Sequence, residues 1–196
     1  MKRLVLLVLG LVGVNALAPC ATGWPQCPPR QVPLYMRSVD EVTPGDLFAE
    51  ADRVVLGAVR AVEVRRVAEE IPRYPGEWTI GTCITVAPEM SFRGNSLDAE
   101  IEIRVIGGAL ESQGITHQVI ASYFGGTPRF QEGQRVLVFL KAVESRPYFR
   151  MLLGARSQYI VDGDIVYSAA LGRDRSSTPL AALLENLRQL AQGGQQ

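Results

Sequence analysis

The apolar positions of this chain follow two periods, a two-residue period through its middle and a helical one near its end. Ala99 to Val105 (AEIEIRV) is the cleanest alternation, with Ile101, Ile103 and Val105 on one side and Glu100, Glu102 and Arg104 on the other. That pattern predicts a half-buried strand. Arg53 to Val67 is dense in valine and alternates from Val59 to Val64, so it reads as a long strand with Gly57 at a bend or bulge. A helix is the competing reading, since Ala and Arg are good helix formers. Glu77 to Ala87 and Thr116 to Phe124 are further strand candidates. In Arg129 to Lys141 a turn at Glu132-Gly133 leads into Val136 to Leu140, apolar on both faces, as a covered central strand is. Tyr148 to Val161 predicts one more strand, which Asp162-Gly163 joins as a hairpin to Ile165-Val166-Tyr167.

Breaks separate these runs. Ala68 to Gly76 is a proline-broken polar loop, and Phe92 to Asn95 is a turn. Gly107-Gly108 ends a strand, and Gly125 to Pro128 turns the chain again. Two segments read as helix. Pro44 to Asp52 has Thr43 as its cap, Pro44 in the first turn and Asp46 near its positive end. Near the end, Thr178-Pro179 opens a helix whose Leu180, Leu183, Leu184, Leu187 and Leu190 share one face. The fold class that follows is mainly β: a small antiparallel Greek-key (OB-like) barrel, closed or nearly so, with a short N-terminal helix and a C-terminal amphipathic helix. The barrel domain is expected over 39–171, the helix over 177–191 and a frayed tail over 192–196.

The first residues read as an address. Lys2 and Arg3 precede an apolar run, Leu4 to Val14, and small residues follow at Ala16 and Ala18. This is the layout of a secretory signal over 1–18, and the run is short for a membrane span. Cutting after Ala18 would leave Pro19 first, which cutting after Ala16 avoids. Leu17-Ala18-Pro19-Cys20 also resembles a lipoprotein signal with Cys20 as the lipidated residue, although Pro19 departs from its usual small residue. A proline-rich irregular leader occupies 19–38.

Export changes what the cysteines mean. Cys20, Cys27 and Cys83 would meet an oxidising compartment, where one bridge can form and one thiol is left over. A Cys27–Cys83 bridge would close a loop of roughly 55 residues, for which chain entropy gives about 4 kcal/mol. The alternative is that Cys83 is buried in a strand as a small hydrophobe.

Composition mainly excludes. The 196 residues carry 20 Lys+Arg and 20 Asp+Glu, a net charge of zero that argues against a nucleic-acid binder. Loss of Lys2 and Arg3 with the signal segment would bring that charge to −2. A single histidine, His117, rules out a two-histidine zinc site. No Gly-x-Ser-x-Gly elbow, phosphate loop or dinucleotide fingerprint occurs, so no catalytic, cofactor or metal residues are assigned. Asp162 and Asp164 flank a turn glycine and supply too few oxygens for calcium. Tyr74 and Trp78, in or beside a loop, are the candidate ligand-stacking residues, with a hydrophobic lid as the alternative.

Several of these runs stand in a familiar order. Ala51-Asp52-Arg53-Val54-Val55-Leu56-Gly57-Ala58-Val59, Met90-Ser91-Phe92-Arg93-Gly94, Ile101 to Val105 and Phe130 to Leu140 together resemble the netrin-like domain of the tissue inhibitors of metalloproteinases. The likeness extends to a loose group of exported bacterial proteins with the same barrel, and spans Leu47 to Lys141. It implies an OB-type fold and, as a possible activity, protease inhibition through a free N-terminal cysteine that chelates the protease zinc. Only Cys20 can correspond to that cysteine. Thr22 stands where the family has its second cysteine, and the family's dense disulfide set is missing.

The sequence therefore predicts an exported, non-enzymatic binding or structural module of the cell envelope or secreted space. Its partner would be a protein or an envelope component, with no nucleic acid, and with a membrane only if Cys20 is lipidated. The alternatives are a protease-inhibitor-like module and a lipid-anchored envelope protein.

Overall fold

The computed structural model describes residues 33–68, 78–94, 100–112, 114–120 and 126–193. The signal segment, most of the leader with Cys20 and Cys27, and the Tyr74 loop lie outside the described residues. Within them the protein is mainly β.

After short 3₁₀ turns at Leu34–Met36 and Val39–Glu41, helix α1 spans Pro44–Glu50. Thr43 caps it as expected: its hydroxyl oxygen accepts from the Asp46 N–H at 3.2 Å, and Asp46 Oδ2 accepts from the Thr43 N–H at 3.0 Å. The helix stops at Glu50, short of the expected Asp52. Asp52 instead accepts from Lys141 Nζ and from the Ala142 N–H, both at 2.9 Å, tying the entry of the next strand to a distant one.

Strands β1 (Arg53–Ala68) and β2 (Trp78–Arg93) pair antiparallel over nearly their whole length. The strand reading of Arg53–Val67 holds, and register shifts fall between Leu56 and Gly57 and again between Val59 and Ala61. At Gly57 a Cβ would lie 2.4 Å from the Ala87 carbonyl oxygen, so only glycine fits this close approach. β2 runs past its expected end at Ala87 because Pro88 stands opposite Gly57, where the ladder already slips and a missing N–H costs little.

β3 (Ile101–Ile106) buries Ile101, Ile103 and Val105, as its alternation requires. β4 (Gly108–Ser112) and β5 (Ile115–Val119) form a separate two-stranded hairpin. β6 (Arg135–Ala142) follows the Glu132-Gly133 turn, and all five of Val136 to Leu140 are wholly buried. The single strand expected over Tyr148–Val161 is broken. β7 (Phe149–Met151) is followed by a 3₁₀ turn at Gly154–Ser157 and then by β8 (Gln158–Asp162). The Ser157 hydroxyl fixes the break, donating to the Gly154 carbonyl at 2.9 Å and accepting from the Leu153 N–H at 3.0 Å. A two-residue turn, with Gly163 at φ 59°, joins β8 to β9 (Ile165–Ser168).

Helix α2 (Arg173–Ser176) and β10 (Thr178–Pro179) lead into α3 (Leu180–Gly193). Thr178-Pro179, read as the helix opening, is spent pairing with β9, and α3 begins one residue later. No helix among the described residues is long and apolar enough to cross a membrane.

The main sheet has the order β1-β2-β3-β7-β6-β8-β9-β10, and β1 also pairs with β6. The small antiparallel barrel expected from the sequence, closed or nearly so, is not present as a closed barrel. β3 and β7 meet through one parallel pair, Ile103 with Phe149, and the sheet continues past β6 into β8, β9 and β10. β1 and β6 are covered on both faces. Val54, Leu56, Leu137 and Phe139 face α1 and the Leu183, Leu184 and Leu187 stripe of α3. Val55, Val59, Val136, Val138 and Leu140 pack instead with Ile84, Val86 and Ile103 of the curled strands.

Candidate binding site

Beyond Val59, β1 leaves β6 but stays paired with β2, β3 pairs along β2 as far as Gly81, and the β4–β5 hairpin covers the resulting arm on one side. The turn-over is made at Gly107-Gly108, with φ of 113° and 138°. The Gly107 carbonyl accepts from the Thr82 hydroxyl at 2.8 Å, and its N–H donates to the Ile80 carbonyl at 2.8 Å. A Cβ on Gly108 would sit 2.8 Å from a Val64 methyl. The two glycines thus do more than end β3: they let the next hairpin lie directly on the arm.

Between arm and hairpin lies a cavity of about 490 Å³, within the range of small-molecule sites. Val62, Thr82, Ile84 and Val105 form its floor, Gly108, Ala109 and Val119 its cover, and Thr127 to Gln131 its end wall. The lining is mostly apolar. Its polar exceptions are Thr82, already bonded to Gly107, and the side chains of Gln118, Thr127, Arg129 and Gln131.

The end wall is held from both sides. The Gly133 N–H donates to the Val59 carbonyl at 2.9 Å, and the Val59 N–H donates to the Gln134 carbonyl at 2.8 Å, using groups that the β1 bulge frees. From the other side comes Gln158, a wholly buried amide in β8. Its Oε1 accepts from the Arg129 N–H at 3.1 Å and its Nε2 donates to the Arg129 carbonyl. One side chain thereby acts as a strand partner for an irregular segment, with its donor and acceptor both satisfied. Phe130 packs on the strand-side core beside it.

Of the sequence-derived candidates, Trp78 and Cys83 lie among the described residues, and neither lines the cavity. Trp78 is 47% exposed at the tip of the arm, with the Arg66 guanidinium 4.2 Å over its ring, and it does not line the cavity. Tyr74 lies outside the described residues. Cys83, read as one half of a bridge to Cys27 or as a small buried hydrophobe, is 5% exposed and is a free cysteine among the described residues. It sits under Arg65, whose Nε donates to Cys83 Sγ at 3.0 Å. This contact, ahead of Glu102, raises the Arg65 pKa. Cys20 and Cys27 lie outside the described residues.

The same face carries Glu102, bridged to Arg65 at 3.1 Å and to Arg104 at 2.9 Å, while Arg104 stacks 3.6 Å over the Tyr148 ring. Burial pushes the Glu102 carboxyl up, but Arg104 and Arg65 outweigh it and hold the pKa below the ordinary value. With Glu63 Oε2 4.0 Å from Arg65 Nη1, two carboxylates face two guanidiniums and the charges of this surface network are paired. His117 is exposed on β5, and Asp162 pairs with Arg173 at 2.6 Å. Among the described residues no three His, Cys, Asp or Glu side chains cluster as metal ligands would.

Sequence reasoning missed the cavity because its cover, β4, has no alternation of its own. The one signal available was the Gly107-Gly108 pair, which marks a close backbone approach as well as a strand end. No protein-family profile matches this chain, and no curated protein matches it.

Proposed function

We propose that this chain is an exported binding module that seats an apolar group of an envelope component in the cavity between the β1–β2 arm and the β4–β5 hairpin. The observation that carries this reading is a mostly apolar space of about 490 Å³ whose end wall is braced by a wholly buried Gln158, its amide oxygen and nitrogen both bonded to the Arg129 backbone. A braced wall keeps the space open before a ligand arrives, which lowers the ordering cost of binding. Export rests on Lys2-Arg3 followed by the apolar run Leu4 to Val14. The order of pairing from β1 through β2, β3, β7 and β6 back to β1, with the β3–β7 contact parallel, supports reading these five strands as an opened OB-like core. That order also suits the netrin-like resemblance.

The test is titration with N-phenyl-1-naphthylamine, an apolar dye that brightens out of water. Saturable brightening is expected, along with amide NMR shifts at Thr82, Val105 and Gly108. Val62→Trp, which fills the cavity from its floor, should weaken binding about tenfold or more, roughly 1.4 kcal/mol. Equal binding by that variant, or shifts confined to other residues, would sink the proposal. Intact mass of the chain recovered from outside the cytoplasm tests export separately: a start after Ala16 or Ala18 is expected, and a retained Met1 removes the signal reading.

A further inference from the structure

A second cavity, about 410 Å³, lies on the opposite side of the sheet between the start of α1 and the face of α3. Val166, Leu183 and Leu190 make its apolar lining, and Tyr159 of β8 borders it. Thr178 and Asn186 also border it, and two of its polar side chains are engaged within the protein. The Thr43 hydroxyl is held in the α1 cap by Asp46. The Ser176 hydroxyl accepts from the Ser168 N–H at 2.9 Å and donates to the Gly172 carbonyl at 2.7 Å.

Tyr159 differs. It is only 9% exposed, its ring edge packs on Phe139 with centroids 5.8 Å apart, and its hydroxyl makes no hydrogen bond among the described residues. Burial alone pushes its phenol pKa up to about 12. The oxygen is not one of the fully buried unpartnered atoms of the described residues, so it opens onto the pocket, where a ligand's acceptor can reach it. A phenol that stays protonated at physiological pH offers a ligand one neutral donor. Around it, apolar walls penalise a charged ligand, since desolvating an unpaired ion is far more costly than desolvating a carbonyl.

We propose that the pocket between α1 and α3 binds a small, neutral, largely apolar molecule with one hydrogen-bond acceptor, which the Tyr159 hydroxyl engages. This site is independent of the cavity under the β4–β5 hairpin, because sheet and core separate the two. It needs no rearrangement of the fold: the acceptor replaces a missing partner, and the ligand body covers Val166, Leu183 and Leu190.

Three probes of similar size distinguish the chemistry: acetophenone (neutral, one acceptor), ethylbenzene (no acceptor) and benzoate (an anion). Each is titrated into the whole exported chain while the amide signals of Val166, Leu183 and Asn186 are followed. Acetophenone should give saturable shifts there and bind about three- to tenfold tighter than ethylbenzene, the value of one neutral hydrogen bond. Tyr159→Phe should erase that difference while leaving thermal stability unchanged or higher, because it deletes an unpartnered group. Ala182→Trp, at the exposed rim, should abolish binding of both neutral probes. The proposal is overturned if acetophenone gives no saturable shift at these residues, if Tyr159→Phe keeps the preference, or if benzoate binds as well. Occupation of the pocket by another part of the chain would appear as the first of these outcomes. Dye binding under the hairpin reports on the other cavity, so either reading can fail alone.

Discussion

The two faces of β6 are closed by different means. Leu137 and Phe139 look toward α1 and α3, whereas Val136, Val138 and Leu140 look toward strands that curl back over them. The helix side is sealed by local devices: a capped seven-residue helix and a leucine stripe repeating at helical spacing. The strand side is sealed by long-range register, by glycines that admit close backbone approach, and by one buried amide. Local covers each bring their own apolar face to the strand, and the gap they leave, about 410 Å³, lies between α1 and α3 against β8 and β9 rather than against β6. A cover made by bending one long hairpin cannot fill all the space it encloses, and the larger cavity lies at the end of that hairpin.

The largest effect is expected at the shared strand. Phe139→Ala should cost about 3–5 kcal/mol in chemical denaturation, the usual range for emptying a phenylalanine site in a core. Because Phe139 faces the helices, the remaining folded protein should still bind dye under the hairpin. If dye binding is lost in proportion to stability, the two faces are not separate and the comparison fails.

Parts of this contrast could be read in the sequence, for physical reasons. Val136 to Leu140 announced a strand covered on both sides, since no polar residue interrupts it. Thr43, Pro44 and Asp46 announced α1, and the leucines announced α3, because caps and stripes are local chemistry. Closure could not be read. Whether β3 meets β7 through a full ladder or through Ile103 and Phe149 alone depends on where the chain breaks at Gly154–Ser157. That break is made by the Ser157 hydroxyl, in a stretch whose composition otherwise suits a strand. Gln158 was equally silent: a glutamine in a strand gives no sign that its amide will clamp Arg129, 29 residues away.

Tyr159 offers the next test, on the helix side. Its phenol titrates near 12 in the folded chain, against about 10 when unfolded. Below pH ~10 both states keep the proton, so this group leaves stability unchanged with pH. Between about 10 and 12 the unfolded chain loses its proton first, and stability should fall by roughly 2–3 kcal/mol in all. Urea denaturation of wild type and Tyr159→Phe across this window should show curves that separate as pH rises. Parallel curves would mean the phenol is hydrated, and would remove the buried donor from the α1–α3 pocket.

On the strand side the matching test is Gly108→Ala. Its φ of 138° is unfavourable for any side chain, and the added methyl meets Val64. A loss of about 1–3 kcal/mol is expected, with the hairpin displaced from the arm. Dye binding should fall while acetophenone binding at the α1–α3 pocket is kept. Loss of both would tie the cavities together.

The smallest effect expected is at the α1 cap, and it has a pH signature. Asp46 is held below the ordinary carboxylate pKa first by the Thr43 hydroxyl, then by the Thr43 N–H and by Arg37. A carboxylate with a lowered folded pKa adds stability above its unfolded value, near ~3.9, and that stability is lost as pH falls through the folded value. Thr43→Ala should therefore cost about 1 kcal/mol at neutral pH, the usual value of an N-cap. The gap from wild type should narrow as Asp46 protonates, without closing, since the Thr43 oxygen still accepts from the Asp46 N–H at any pH. A gap unchanged from pH 7 down to 2 would show that the carboxylate adds nothing to the cap. The helix side would then rest on its leucine stripe alone, with the α1 wall of the Tyr159 pocket held by Leu47 and Phe48 packing rather than by its cap.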